Sequence, residues 1–390
     1  MPHGIPLATP RMPTCILHVG MPKTGTTSIQ ESLFHGLEDP RFRLISLGHS
    51  NAVLFLEPLF GDDPERFWVH RRSGCSAEGV RRRARDCDRR LRAALRKTRA
   101  AGATAIISAE RCWAFSEASL ERFRDYVARE GFDVRVIAYL RPHASWFESS
   151  CSQEAKLLNH VFDLDRFADD VRVRPGFWYP QRLAALERVF GRDNLTVRSF
   201  SPGALADGCA VRDFCTVLGI DFDHARVVRA NESISADAVR MLHCFHRHHP
   251  DAGRLSLWSN YLLVKRLEQL DGDPLRFHAT VLEPLAGDIA RQVREIVERY
   301  GVDLRQESLD RDGARCVRDE ADMQRFSRGS LDWLARVSGR SPVVDCQGEA
   351  TALRVAEQVA AIARRPALGL RLDFLRYRLR RALRSIRHGD

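Results

Sequence analysis

The stretch that decides the reading is Cys15-Ile-Leu-His-Val-Gly-Met-Pro-Lys-Thr-Gly-Thr-Thr-Ser28. Cys15–Gly20 is a short apolar run of strand length that ends in a glycine loop. Ile29, Leu33 and Leu37 follow at helical spacing, so the segment reads as strand, loop, helix. Backbone N–H groups at such a handover can cradle a phosphate-like anion, and the helix dipole adds to the attraction. The ATP-binding loop has the pattern G-x-x-x-x-G-K-[ST]. Gly20 and Gly25 keep that spacing, but Thr26 stands where the lysine belongs and the lysine comes earlier, at Lys23. The plain alternative is a Gly/Thr-rich turn with a solvated lysine. Lysine is scarce, however: of 61 basic residues only Lys23, Lys97, Lys156 and Lys265 are not arginine.

Working outward, three more apolar runs read as buried strands: Thr104–Ser108 (TAIIS), Val134–Leu140 (VRVIAYL) and Leu195–Phe200 (LTVRSF). A shorter one is Phe42–Ser46 (FRLIS). Helical stretches separate them: 81–101, Leu120–Glu130, Leu183–Phe190 and Ala210–Leu218, the last closed by Gly219. Pro142 stands where it can open a helix carrying Trp146, Phe147 and Ser150. This alternation predicts an α/β fold: a P-loop-like parallel sheet flanked by helices on both faces. After Asn231 the strand signal fades. Residues 235–300 read as helices, 301–350 as irregular and polar. The expected divisions are a loose arm over 1–12, a core over 13–235, a mainly helical C-terminal extension over 236–368 that contributes to an acceptor site, and a basic amphipathic helix over 369–390.

Composition excludes several classes. With 44% hydrophobic residues the chain is globular. No apolar run approaches the about 18 residues of a membrane span. The N-terminal residues lack a charged start followed by an apolar core, so a cytoplasmic location is the expectation. The ten cysteines form no CxxC pair, and free thiols are expected. The formal charge of +10 favours anionic ligands. No zinc-finger spacing or aromatic-plus-basic signature accompanies it, so no nucleic-acid partner is expected.

Pro22–Ser28 (PKTGTTS) resembles the 5′-phosphosulfate-binding loop of sulfotransferases that use 3′-phosphoadenosine 5′-phosphosulfate (PAPS). The resemblance implies that Lys23 contacts the bridging oxygen, with Pro22 and Thr24 in the loop and Gly25, Thr26, Thr27 and Ser28 holding the anion's oxygens. In this family an arginine at a strand end and a serine on the next helix hold the 3′-phosphate. Arg141 and Ser149 match that eight-residue spacing, with Ser145 and Ser150 as competitors for the serine role. Arg gives a bidentate clamp and Ser a neutral hydrogen bond. Arg229, in Arg229-Ala-Asn-Glu-Ser-Ile-Ser235, resembles a segment that closes over the cofactor; its alternative is a loop with an N-cap serine. The resemblance covers residues 14–235. Two family features are missing: Ser28 stands where a tryptophan stacks on adenine, and no Arg-Lys-Gly loop occurs. The adenine contact is thus unassigned, and the carbohydrate-type or bacterial branch fits better.

Sulfuryl transfer needs a base for the acceptor hydroxyl. Glu110 follows the TAIIS strand, where the family's base stands; its alternative is a structural carboxylate that pairs with Arg111 or caps the next helix. His49, in the loop after FRLIS, is the second candidate; His18 lies inside the first strand and His70 is weaker. The implied co-substrate is PAPS, with no metal, and the implied acceptor is a hydroxyl of a sugar, glycolipid or small metabolite. His243, Cys244, His246, His248 and His249 lack complete metal-ligand spacing and read as structural. The tail over 370–388 reads first as a docking helix and second as a peripheral contact with an anionic membrane surface. Two rival functions are an NTP-dependent, kinase-like P-loop enzyme and a non-catalytic membrane-associated protein on the same fold.

Overall fold

A computed structural model describes residues 12–157, 163–229, 233–249, 257–305 and 316–364. The basic tail over 370–388 lies outside them. Five strands form one parallel sheet: β1 (Thr14–Gly20), β2 (Phe42–Leu44), β3 (Thr104–Ser108), β4 (Asp133–Leu140) and β5 (Leu195–Ser199). Their order is β2-β3-β1-β4-β5. The strand carrying the decisive stretch is therefore central, with Leu17 beside Ile107 on one side and Val136 on the other. Its residues from Cys15 onward are buried on both faces, which is why they read as a continuous apolar run rather than an alternating one.

The connecting helices are α1 (Thr26–Gly36), α2 (Val53–Phe60), α3 (Trp68–Arg72), α4 (Ala77–Ala100), α5 (Glu117–Arg129), α6 (His143–Ala155), α7 (Phe167–Arg172), α8 (Tyr179–Phe190) and α9 (Ala210–Leu218). Beyond them come α10 (Ala236–His248), α11 (Leu257–Leu267), α12 (Ala279–Leu282), α13 (Ala286–Tyr300), α14 (Arg328–Ser338) and α15 (Glu349–Arg364). The chain is thus α/β, a five-stranded parallel sheet flanked by helices, with a mainly helical C-terminal extension. Several elements depart from the sequence expectation, α2, α3, α7 and α14 among them. α2 was not foreseen, because its eight residues enclose Pro58. α14 stands inside the stretch expected to be irregular; Ser327 caps it and Leu331 and Leu334 bury its inner face.

Two compact units do not follow chain order: 1–141, 178–231 and 295–304 form the first, 142–177, 232–294 and 305–390 the second. In the first, Ile16, Ile106, Ile137 and Tyr139 of the sheet pack with Ile29 and Leu33 of α1 and with Val211 and Phe214 of α9. Each fully buried side chain of this size contributes about 1.5–3 kcal/mol. Strand alternation turns Leu17, Ile107 and Val136 to the opposite face, where α4, α5 and α8 cover the sheet. In the second, Glu148 of α6 is buried and accepts hydrogen bonds from the Phe277 N–H at 3.0 Å and the Arg276 guanidinium at 2.8 Å. There α10 packs on α15. Two of its histidines meet carboxylates: His243 Nε2 lies 2.7 Å from Glu320 and His248 3.5 Å from Glu349. Among the described residues no group of three or more His, Cys, Asp or Glu side chains could hold a metal ion, and no helix is long and apolar enough to cross a membrane. None of the ten cysteines is joined in a disulfide.

The turn from β1 into α1 sets the tolerance of the whole core. A Cβ at Gly20 would lie 2.1 Å from the Thr26 hydroxyl oxygen. Gly20→Ala is expected to destabilise the fold by about 1–3 kcal/mol, the usual cost of overpacking. Gly20→Ala with Thr26→Ala should recover part of that loss in urea unfolding.

Candidate active site at the β1–α1 loop

The loop Met21–Gly25 is held from inside. The Thr24 hydroxyl donates to the Met21 carbonyl at 2.6 Å. That uses its only proton, so in the 3.4 Å contact between Thr24 and Thr26 the Thr26 hydroxyl is the donor. Both side chains are buried. What Thr24 and Thr26 can offer an anion is therefore their backbone N–H, whereas Pro22, Lys23, Thr27 and Ser28 are half-buried. Gly25 is the N-cap of α1, with φ 70° and no side-chain cap, and no acidic residue stands in the first turn. A glycine at the N-cap supplies no side-chain acceptor of its own to the first turn. A Cβ on Gly25 would meet Ala210 and Phe200 at 3.0 Å, so the glycine is required by space as well as by φ.

Lys23 also adopts a left-handed backbone, φ 72°. For a residue with a Cβ this costs about 1–3 kcal/mol and persists only where the surroundings enforce it. One enforcing contact is Arg141, whose Nη1 donates to the Lys23 carbonyl at 2.8 Å. The Arg141 guanidinium also lies over the Phe200 ring, 5.6 Å from its centre, and the Arg141 carbonyl accepts from the buried Tyr179 hydroxyl at 3.1 Å. The β4 strand end is thus tied to the β1 loop through an arginine braced from two sides.

Glu110 opens a 3₁₀ turn two residues after β3. Burial pushes its carboxyl above the ordinary 4.5, and the Lys23 ammonium opposes that shift. The expected competitor partner is taken elsewhere: Arg111 Nε meets the buried Glu57 carboxylate at 3.3 Å. Two groups predicted from separate segments therefore bear on Lys23: Arg141 on its carbonyl, and Glu110 within the field of its ammonium. β3 and β4 flank β1 directly, which is what brings these strand ends together. His49 sits in the loop after β2, whose next residues reach α1 and the end of β3: the Ser50 hydroxyl donates to Glu31 Oε1 at 2.5 Å and the Ala52 N–H to the Ser108 carbonyl at 3.0 Å.

Arg229 ends a segment that runs along α1. Gly36 of α1 lies against Phe222 and Arg226, and the Val228 N–H donates to Ser32 Oγ at 2.8 Å. The segment therefore advances toward the first turn of α1, with Arg229 exposed at its leading end. Ser149 belongs to α6 in the second unit, as do Ser145 and Ser150. His18 is fully buried and held neutral, its pKa lowered to about 3 by desolvation. Sequence reasoning did not find Tyr179, Phe200 or Glu57. Each acts through a contact at least 38 residues away in sequence, and none carries a local motif.

No protein-family model matches the chain, and no curated protein does. Among solved structures, a sulfotransferase from Alicyclobacillus acidocaldarius is similar to it, at 16% identity and a TM-score of 0.41, covering 76% of this chain and 98% of that one.

The strain at Lys23 makes a test independent of activity. Lys23→Gly should be more stable than Lys23→Ala by about 1 kcal/mol in urea unfolding, because only glycine adopts φ 72° without a Cβ penalty.

Proposed function

We propose that the chain is a sulfotransferase that moves a sulfuryl group from PAPS to a hydroxyl of a carbohydrate, glycolipid or small metabolite. The observation that carries this reading is the convergence on Lys23: a strained lysine in an anion-cradling loop, braced by Arg141 and electrostatically coupled to Glu110. The donor set fits an anionic group. The first turn of α1 presents backbone N–H groups, two of its neighbours turn their hydroxyls inward, and the adjacent side-chain charge is an ammonium.

PAPS, when bound, supplies an activated sulfuryl group on a phosphate leaving group. The residues of this chain have four tasks. The backbone N–H groups of Gly25, Thr26, Thr27 and Ser28 bind the 5′ anion, and the left-handed turn aims the Lys23 ammonium at the oxygen where charge develops. Arg141 holds that turn through the Lys23 carbonyl, and with Ser149 it binds the 3′-phosphate; Ser149's share rests on its spacing in the sequence. Arg229 closes over the nucleotide from the α1 side. Glu110 takes the proton of the acceptor hydroxyl, for which its raised pKa suits it better than an ordinary carboxylate. His49 is the alternative base.

A kinase-like reading has less support, because Thr26 occupies the lysine position of the ATP loop. A non-catalytic role leaves the strain at Lys23 unexplained. Cytoplasmic placement, and membrane contact through 370–388, complete the proposal from the sequence alone.

Calorimetry with PAP, the desulfated 3′,5′-bisphosphate, should show binding that ATP does not match; no PAP binding sinks the reading. Lys23→Ala should lower PAPS turnover at least 100-fold while PAP binding changes little. Equal turnover would remove Lys23 from the chemistry.

The pH profile tests the base. Glu110 acts deprotonated, so activity is lost as pH falls through its raised pKa. The acidic limb of turnover should therefore lie above 4.5. Glu110→Gln should abolish that limb and most of the rate; a limb unchanged in the variant would move the role to His49.

A further inference from the structure

Beneath the loop lies a buried polar group that the proposed chemistry does not use. Ser108, the last residue of β3, is fully buried, as is His18 of β1; Gln30 of α1 is 2% exposed. His18 and Ser108 are register partners, so both face α1. The Ser108 hydroxyl lies 2.8 Å from His18 Nδ1 and 3.1 Å from Gln30 Nε2. The Ser108 carbonyl accepts from Gln30 Nε2 at 3.0 Å and from the Ala52 N–H at 3.0 Å. The next residue, Ala109, donates its N–H to the His18 carbonyl at 3.0 Å.

Proton counting orients the group. The Gln30 amide is a donor and has two protons, one for each Ser108 oxygen. The Ser108 hydroxyl thus accepts from Gln30, and His18 Nδ1 is its second partner. Burial keeps His18 neutral. Ser108 thus joins four segments through one residue: β1, β3, the second turn of α1, and the start of α2.

Each segment carries a predicted functional group a few residues away. Lys23 lies between β1 and α1, Glu110 two residues after Ser108, and His49 three residues before Ala52. We propose that Ser108 is a positioning residue, and Gln30 its fastening to α1, which together hold the Lys23, Glu110 and His49 loops in one register. This rests on the sulfotransferase reading for the roles of those loops, but the fastening itself is testable without it. A buried serine or glutamine whose partners were merely satisfied locally would affect only its own strand end. A hub must loosen all three loops at once.

Hydrogen exchange on the full chain separates the two. In Ser108→Ala and in the near-isosteric Gln30→Leu, amide exchange over 20–28, 47–52 and 109–113 should rise together by tenfold or more. Leu91→Ala, a core truncation in α4, serves as the control for general destabilisation and should not single out those segments. If Ser108→Ala does not fold, Gln30→Leu carries the same expectation. A rise confined to 109–113, or one no different from the control, overturns the proposal. In PAPS turnover with water as acceptor, kcat should fall at least tenfold with KM for PAPS within threefold, and Leu91→Ala should change neither. Loosened loops with unchanged kcat would also overturn the positioning role. Absence of PAP binding in the wild type would instead refute the proposed function, leaving the exchange result to decide the hub.

Discussion

The passage of β1 into α1 leaves no room at Gly20, whose missing side chain is filled by Thr26. That close approach dictates the path of the loop, because the chain must return onto the strand end within five residues. It does so through two consecutive demands for a left-handed backbone, one met by Gly25 and one imposed on Lys23. Everything near the site follows from this. Thr24 and Thr26 turn inward to satisfy the loop, and the Lys23 carbonyl is presented to Arg141. A looser turn would not strain the lysine, and it would not fix its ammonium near Glu110 either.

The charges around the loop divide by the geometry of their side chains. Arginine is planar, keeps five donors in a fixed fork and stacks on rings, so Arg141 can brace a carbonyl and lie on Phe200 at once. Lysine is a compact charge on a flexible stem, suited to follow an oxygen whose charge changes during a reaction. The chain uses arginine nearly everywhere else. Many of those arginines form exposed pairs such as Arg66–Asp63 and Arg172–Asp169, which contribute at most about 1 kcal/mol each. Net charge therefore says little about function here. The position of the single loop lysine says more.

Much of the sheet was legible in the sequence because its strands are buried on both faces. β3 has the bounds its apolar run suggested, and α9 ends at Gly219 in a left-handed cap, as expected. α2 escaped notice because Pro58 interrupts its pattern. The strand order was not legible at all. It is what places β3 and β4 on either side of β1, and so what makes neighbours of Glu110, Lys23 and Arg141. Periodicity reports which face of an element is buried but not which element lies beside it. For the same reason the partner of Arg111 could not be foreseen: Glu57 is 54 positions away on a helix the pattern missed. His18 was rightly expected to be packed, but its bond to Ser108 depends on strand register.

The interleaving of the two units has a consequence for synthesis. The sheet of the first unit is complete only when β5 joins the edge of β4, yet the residues between them include Pro142–Phe177, which belong to the second. On a ribosome adding about 5–20 residues per second, Ser199 follows Leu140 by about 3–12 s. Through that interval β4 is a bare edge, with an unpaired ladder and an apolar sequence that invites other strands. The nascent chain is therefore most exposed to mispairing midway through its own translation. The span from Pro142 to Asn194 is where slow codons would harm it and where a holding chaperone would help it most.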